Sequence, residues 1–474
     1  MNYALIGCGR IAVNVLKRGF AFITLIAVIL SSLTACGQVK QSETGISASD
    51  DTDMWTPSAP VTAMVLTKEE SSLYDTTVGV LLTQDLWTER DTYDAAHYLM
   101  IPMHYAFQSG NAQYIHAFGA FFDRFAADIT GEDTYGFLGY GWLPVLQFSY
   151  FTSQFISLCA RYGYEELIPA DLIPVITERV SQFYYEVPGN WNCEPTRKEH
   201  FKQVLAGKEY PRSYYSSIDD FDLFFLSILC DLNVYHRVIG AEVTELEETA
   251  ADLAYALMAS PLLNEETERG GWIFQRGVWW DYPDYAYAGH QTITANMEPQ
   301  PREDIAEDSS HSMRLASCVM SWRNAQPTHE RYNLLEKRRE QLATQFSEVV
   351  CKKVDGYWLA STFMDGTCGV YRYSYNTEGV GYSGYENSAH ILIGWWSLLE
   401  DARIQKIYAE TLNLFPLGES RDSNPYFDFA TVRDQNPYFD ADTGYDLGMY
   451  ECMVLCAAKL NAGMNTQNLT ENNQ

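Results

Sequence analysis

The sequence predicts an all-α protein. From residue 90 onward apolar residues recur at three- and four-residue spacing, Gly, Pro and Asx breaks separate the segments, and the segments fall into consecutive pairs. Read in order, helices are expected at 91–108, 113–129, 143–161, 167–186, 217–236, 242–259, 309–324, 328–351, 386–400, 402–414 and 445–460. The segment 68–86 would be a twelfth. Ser217 followed by Asp220 has the form of a capping box, and Pro327 with Thr328 marks another helix start. The connections at 187–216, 260–306, 352–385 and 415–444 are long and aromatic, as functional loops tend to be.

Composition narrows the function. The chain has 474 residues, 47% apolar and 14% aromatic, enough to pack a core and leave ring surface over. Asp and Glu number 62 against 32 Lys and Arg, a net charge of −30, which argues against nucleic acid as a partner. Hydrolases, lyases and carbohydrate binders remain.

The N-terminus reads as an address. Lys17 and Arg18 precede an apolar run, Phe20–Leu30, too short for a typical membrane span and followed by small residues. The segment Leu33, Thr34, Ala35, Cys36 resembles the lipobox of bacterial lipoproteins. That resemblance implies a signal peptide at 1–35, a lipid such as palmitate on Cys36 and a place in the cell envelope. With no acid directly after Cys36, it implies the outer membrane where the host has two. Cleavage removes three bases and no acids, taking the net charge from −30 to −33. Residues 36–66 then form the lipidated cysteine and a polar tether, 67–462 the helical domain, and 463–474 a polar tail. Residues 3–12 also read as a strand followed by Gly7, Gly9 and Ala12, the opening of a dinucleotide-binding domain, but the export signal stands where its βαβ unit should.

Twelve helices joined as antiparallel hairpins, with inner and outer members alternating, would close into a ring. This resembles the (α/α)6 toroid of many carbohydrate-active enzymes, the chondroitin AC and alginate lyase families among them. The rival α-solenoid expects a regular repeat, and none is visible.

Two helix starts share a pattern. Glu307, Asp308, Ser309, Ser310, His311 recurs 79 residues later as Glu386, Asn387, Ser388, Ala389, His390. Glu307, His311 and Arg314, spaced i, i+4, i+7, would place acid, base and cation on one helix face. Tyr382 and Tyr385 precede the second motif, and Asp94, His97 and His104 make a similar polar face on the first helix. The aromatic runs Trp279–His290, which includes Trp280, and Tyr135–Trp142 suit stacking on sugars.

The toroid resemblance implies roles. Uronate β-elimination requires a group to neutralise the carboxylate, a base for the α proton and an acid for the leaving oxygen. Toroid lyases commonly use Asn, His, Tyr and Arg, although the Asn-Asn-His run of some alginate lyases is absent here. Carried over, Asn387 and Arg314 would hold the carboxylate, His311 and Tyr385 would exchange protons and Glu307 would orient His311. His390 would be a further catalytic group, while Glu386, Tyr382, Trp280 and His97 would line the substrate site. The alternatives are a glycoside hydrolase drawing two carboxylates from Asp281, Glu307, Asp308 and Glu386, or a glycan-binding lipoprotein without catalysis.

No cofactor is expected. Asp440, Asp442, Asp446 and Glu451 approximate a calcium loop, but Tyr445 stands where that loop needs glycine. There is no C-x-x-C pair. Cys159, Cys230, Cys318, Cys452 and Cys456 read as buried small hydrophobes, whereas Cys351 and Cys368, flanking a strand-like insert, are placed for a disulfide in an oxidising compartment.

Overall fold

The computed structural model describes residues 63–130, 137–373, 381–418, 424–426 and 445–460, without the side chains of 138 and 445–447. The signal, Cys36, Tyr135 and the side chains of Asp440, Asp442 and Asp446 lie outside the described residues. What is described belongs to one compact unit, Met54–Gln474.

Helix predominates, as the sequence predicts. The α-helices are α1 (Lys68–Thr76), α2 (Val78–Leu81), α3 (Glu89–Gln108), α4 (Ala112–Ile129), α5 (Trp142–Tyr162), α6 (Leu172–Glu186) and α7 (Arg197–Leu205). They continue as α8 (Asp220–Ile239), α9 (Glu245–Ala259), α10 (Ser309–Asn324), α11 (His329–Thr344), α12 (Ala402–Leu412) and α13 (Tyr445–Lys459). Strand among the described residues is confined to two antiparallel hairpins, β1 (Asn264–Glu266) with β2 (Trp272–Phe274) and β3 (Cys351–Val354) with β4 (Tyr357–Ala360).

Burial divides the helices into two kinds. Every residue of α5 from Val145 to Ala160 is buried, polar ones included, as is every residue of α8 from Asp222 to Val234. A helix covered all round must have neighbours on every side. By contrast α4 buries one stripe, from Tyr114 through Phe118, Phe121, Phe122 and Phe125 to Ile129. The covered helices pack in order, α3 on α5, α5 on α8, α8 on α10. The series continues from α10 to the 3₁₀ turns 388–393 and 395–399, then to α13, and α13 packs on α3. Helices α4, α9 and α11 lie against α3, α8 and α10 respectively, and α12 against the 395–399 turn and α13.

One polar network crosses this layer. Asp231 of α8 accepts from Ser153 Oγ and Gln154 Nε2 of α5, both at 2.8 Å, and Gln154 also donates to Ser321 Oγ of α10 at 2.8 Å. Burial pushes the Asp231 carboxyl up to about 7.

Four expectations are corrected. The predicted helix 386–400 is two 3₁₀ turns, Ser388–Ile393 and Trp395–Leu399, parted by Gly394 in the left-handed region at φ 89°. A Cβ on Gly394 would meet Ile101 at 3.1 Å and Ala457 at 3.3 Å, so the glycine permits a close approach to α3 and α13 that an unbroken helix would forbid. Within 187–216 the structure adds α7, capped by Thr196. Helix α8 starts at a capping box of Asp219 with Asp222, not of Ser217 with Asp220. Cys351 and Cys368 are both free thiols.

Candidate functional site

Helix α10 begins at Asp308, and that start organises the site. As N-cap, Asp308 Oδ1 accepts from the backbone N–H groups of Ser310 at 3.2 Å and His311 at 3.1 Å. Its other oxygen, Oδ2, accepts from His311 Nδ1 at 2.8 Å and from the Tyr285 hydroxyl at 3.0 Å. One carboxylate thus caps the helix and orients an imidazole. With Nδ1–H spent on Asp308, Nε2 carries the lone pair, and it faces Arg372 Nη2 at 3.4 Å. The Tyr371 hydroxyl stands 3.4 Å from Nδ1.

Arg372 is the least comfortable residue of the group. Its backbone sits at φ 57°, left-handed for a non-glycine residue, and Asp284 holds it by a backbone bond of 2.9 Å and an ion pair of 3.0 Å. A small aromatic core of Trp279, Tyr285, Phe363 and Tyr371 supports both sides of this arrangement.

Two lobes of one cleft meet at His311 and Arg372, which line both. The first, about 290 Å³, is walled by Trp191, Phe221, Trp279, Tyr282 and Tyr371 and carries Asp219, Asp220, Asp284, Glu307 and Asp308. The second, about 300 Å³, is lined by Arg90, Tyr93, Arg314, Tyr382, Glu386 and Asn387 among others. Large aromatic walls with a few convergent polar groups are the usual make-up of a ligand site.

Electrostatics sort the titrating groups. Burial opposes the Asp308 charge, but His311, the Ser310 hydroxyl and Arg372 outweigh it and hold the carboxyl well below the usual range. Burial also disfavours a charged His311, yet Asp308 and then Asp220 raise its pKa above the ordinary 6.5. Glu307 moves the other way. Burial, with Asp308 and Asp220 close by, pushes its carboxyl up to about 8, so it holds its proton at neutral pH. A paired base with a carboxyl acid on one cavity wall is a proton donor and acceptor set.

The sequence expectations divide on this geometry. His311, Glu307, Arg314, Asn387, Glu386, Tyr382, His97 and His390 all line the cleft. Glu307, however, does not orient His311. It precedes the helix and accepts from Ser312 Oγ at 2.8 Å, and Asp308 takes the orienting place. Arg314 is committed to Asp220 at 2.8 Å and the Tyr93 hydroxyl at 2.9 Å, leaving Nε without a partner. Asn387 keeps a buried Nδ2 with no partner, a free donor at the second lobe.

His390 is 2% exposed and bridges Ser309 Oγ at 3.2 Å and Trp396 Nε1 at 3.3 Å. Burial drives its pKa down to about 3, so it is a neutral supporting residue rather than a proton carrier. His97, buried against Gln147 at 3.1 Å, likewise stays neutral. Glu386 accepts from Ser383 N–H and Oγ at 2.7 and 3.0 Å.

Tyr385 and Trp280 do not line either lobe. Tyr385 packs on the main core beside Cys368, and Trp280 on the small aromatic core. Asp281 is tied to Ser213, accepting from its Oγ at 2.5 Å and its N–H at 3.2 Å. His104 lines a separate cavity of about 50 Å³ with Asp231 and Arg161. Among the described residues no group of three or more His, Cys, Asp or Glu side chains is placed to hold a metal. Arg372, Tyr371, Asp284, Asp220 and Trp191 join the site without a motif of their own in the sequence, although the aromatic run Trp279–His290 marks the wall that Asp284 and Tyr285 occupy.

The Asp219–Asp220 end of α8 is held from behind by Arg197, 5% exposed, which pairs with Asp222 at 3.2 Å and Asp219 at 3.5 Å. Arg197→Ala takes the cation from the fully buried Asp222 carboxyl, whose pKa burial already pushes well above the usual range, and a loss of about 1–3 kcal/mol is expected by urea denaturation. The chain matches no protein-family model, and neither curated proteins nor solved structures gave a match.

Proposed function

We propose that the protein is an (α/α)6-toroid enzyme that cleaves an acidic polysaccharide by β-elimination, held at the cell envelope by a lipid on Cys36. The packing order of the covered helices, returning from α13 to α3, supports the ring. The lipobox supports the anchor. The observation that carries the chemistry is the Asp308–His311 pair, whose outward nitrogen faces a cationic Arg372 in a cleft that also holds a protonated Glu307.

His311 Nε2 takes the proton α to the uronate carboxylate, and that C–H electron pair becomes the new C=C bond. The C–O bond to the leaving sugar breaks as Glu307 passes its proton to the departing oxygen. His311 ends as imidazolium and Glu307 as carboxylate, and exchange with water resets both. Arg372 and the Asn387 amide offset the charge that builds on the substrate carboxylate. Glu307 replaces Tyr385 as acid. Against the acid excess of the chain, the second lobe brings together Arg90, Arg314 and Arg372, each paired with an aspartate, Asp94 at 2.7 Å, Asp220 at 2.8 Å and Asp284 at 3.0 Å.

A second reading draws on the carboxylates crowding the first lobe. Glycoside hydrolysis would use the protonated Glu307 as acid and Asp220 or Asp284, each paired with an arginine, as the second carboxyl group. Of the four carboxylates the sequence offered, Asp281 and Glu386 are occupied by serines and Asp308 by His311. Incubation with alginate, polygalacturonate and hyaluronan separates the readings. Elimination gives new ultraviolet absorbance from unsaturated ends, hydrolysis gives reducing ends without it, and a binder retains glycan and gives neither. Reducing ends without absorbance would sink the elimination mechanism.

A further inference from the structure

The mouth of the first lobe carries a feature that the proton chemistry does not use. Trp191 is 40% exposed, one of few large apolar side chains left so open among the described residues. Its backbone lies at φ 57° and that of Asn192 at φ 58°, two successive non-glycine residues in the left-handed region. Each costs on the order of 1 kcal/mol.

The chain on either side holds that strain in place. Gly189 N–H bonds Glu194 O at 2.9 Å, closing the turn, and a Cβ on Gly189 would fall 2.4 Å from Glu194 Cβ. Asn190 is buried and donates to Ser217 O at 3.1 Å and Ser217 Oγ at 2.6 Å. Glu194 is buried too, accepting from the Tyr210 hydroxyl at 3.1 Å and pairing with Lys208. Two buried polar anchors therefore flank one exposed indole.

Rings steady the indole sideways. Tyr214 meets it edge-on at 4.8 Å, Tyr282 lies at 5.5 Å, and Trp191 and Tyr282 both line the first lobe. The two-fifths of this residue left in water gains nothing from folding, because that apolar surface is not buried. What the arrangement supplies is a flat apolar face fixed in advance, so a ligand that lies on it loses little ordering entropy. The C–H face of a pyranose is such a ligand.

We propose that Trp191 is the stacking platform of an outer saccharide subsite, taking the pyranose next to the one processed at His311. This rests on reading the cleft as a saccharide site. The substrate is then an oligomer whose chain leaves the first lobe over Trp191.

Affinity electrophoresis of the full chain through gels containing alginate, polygalacturonate, hyaluronan or dextran tests the platform without requiring turnover. The key variant is Trp191→Gly, because glycine accepts φ 57° and relieves the turn, which limits the fall in melting temperature to a few degrees for the lost contacts with Tyr214 and Tyr282. Expected is roughly tenfold weaker retention for Trp191→Gly and most of it restored in Trp191→Phe. Equal retention of Trp191→Gly and the wild type overturns the platform and leaves the saccharide reading standing. A wild type that no gel retains overturns both. A large drop in melting temperature for Trp191→Gly assigns the indole to structure instead.

Discussion

His311→Ala is expected to lower kcat on the true substrate by about 10²–10⁴-fold, the range for removing a general base, with the fold intact. The expectation rests on one lone pair. Asp308 Oδ2 takes the Nδ1 proton at 2.8 Å, so Nε2 is a base at the point where both lobes of the cleft meet. The imidazole is 26% exposed, enough for a substrate to reach.

Asp308→Asn is the informative companion. Asparagine caps a helix about as well as aspartate, so α10 should keep its start, while the lost charge beside His311, Ser310 and Arg372 should lower stability measurably. An amide nitrogen turned toward Nδ1 would force the imidazole proton onto Nε2 and remove the base. Without the Asp308 charge the His311 pKa also loses its main support. The variant should therefore approach His311→Ala in rate. Its remaining activity should rise with pH through a lower midpoint than in the wild type, whose midpoint lies above 6.5. Wild-type turnover in His311→Ala, measured on whichever polymer gives product, would end this assignment.

The helices were legible because burial leaves a periodic mark, and the site was legible only where it shared that mark. Helices α3, α4, α5, α8, α9, α10 and α13 lie within a few residues of their predicted spans. His311 is legible because its motif repeats at a helix start, but its orienting acid is not the one that spacing suggests. Spacing of i, i+4 favoured Glu307, whereas the helix begins one residue later and its cap, Asp308, curls back onto His311 at i, i+3. The second motif looked equivalent, yet the left-handed turn at Gly394 keeps His390 in a 3₁₀ turn and buries it.

Arg372, Tyr371 and Asp284 come from long connections whose residues carry no period, and only tertiary pairing brings them to His311. Trp191 was hidden differently. Its signal is a strained backbone between two buried polar anchors, and composition records neither. A loop rich in rings can be noticed in sequence, but which ring faces a cavity is decided by chains 25 to 90 residues away, as with Asn190 on Ser217 and Asp284 on Arg372.

Glu307→Gln should separate activity from stability and reverse their usual relation. The Glu307 carboxyl has an ordinary pKa of 4.5 and stands at about 8 in the fold, so the folded chain holds a proton that the unfolded chain has released between those values. Stability from this group is complete below pH 4.5 and is lost as pH rises through 8, a total on the order of 5 kcal/mol. Glutamine imitates the protonated carboxyl and never ionises. Urea denaturation at pH 5, 7 and 9 should therefore show the variant near the wild type at pH 5 and more stable by a few kcal/mol at pH 9. Activity should go the other way, because an amide has no proton to give a leaving oxygen, and kcat should fall about 10²–10⁴-fold. In the wild type the pH–rate profile should be a narrow bell, rising through the His311 pair and falling near pH 8 as Glu307 ionises. A stability difference that stays constant from pH 5 to pH 9 would show that Glu307 ionises normally in the fold, and the cleft would then lack its acid.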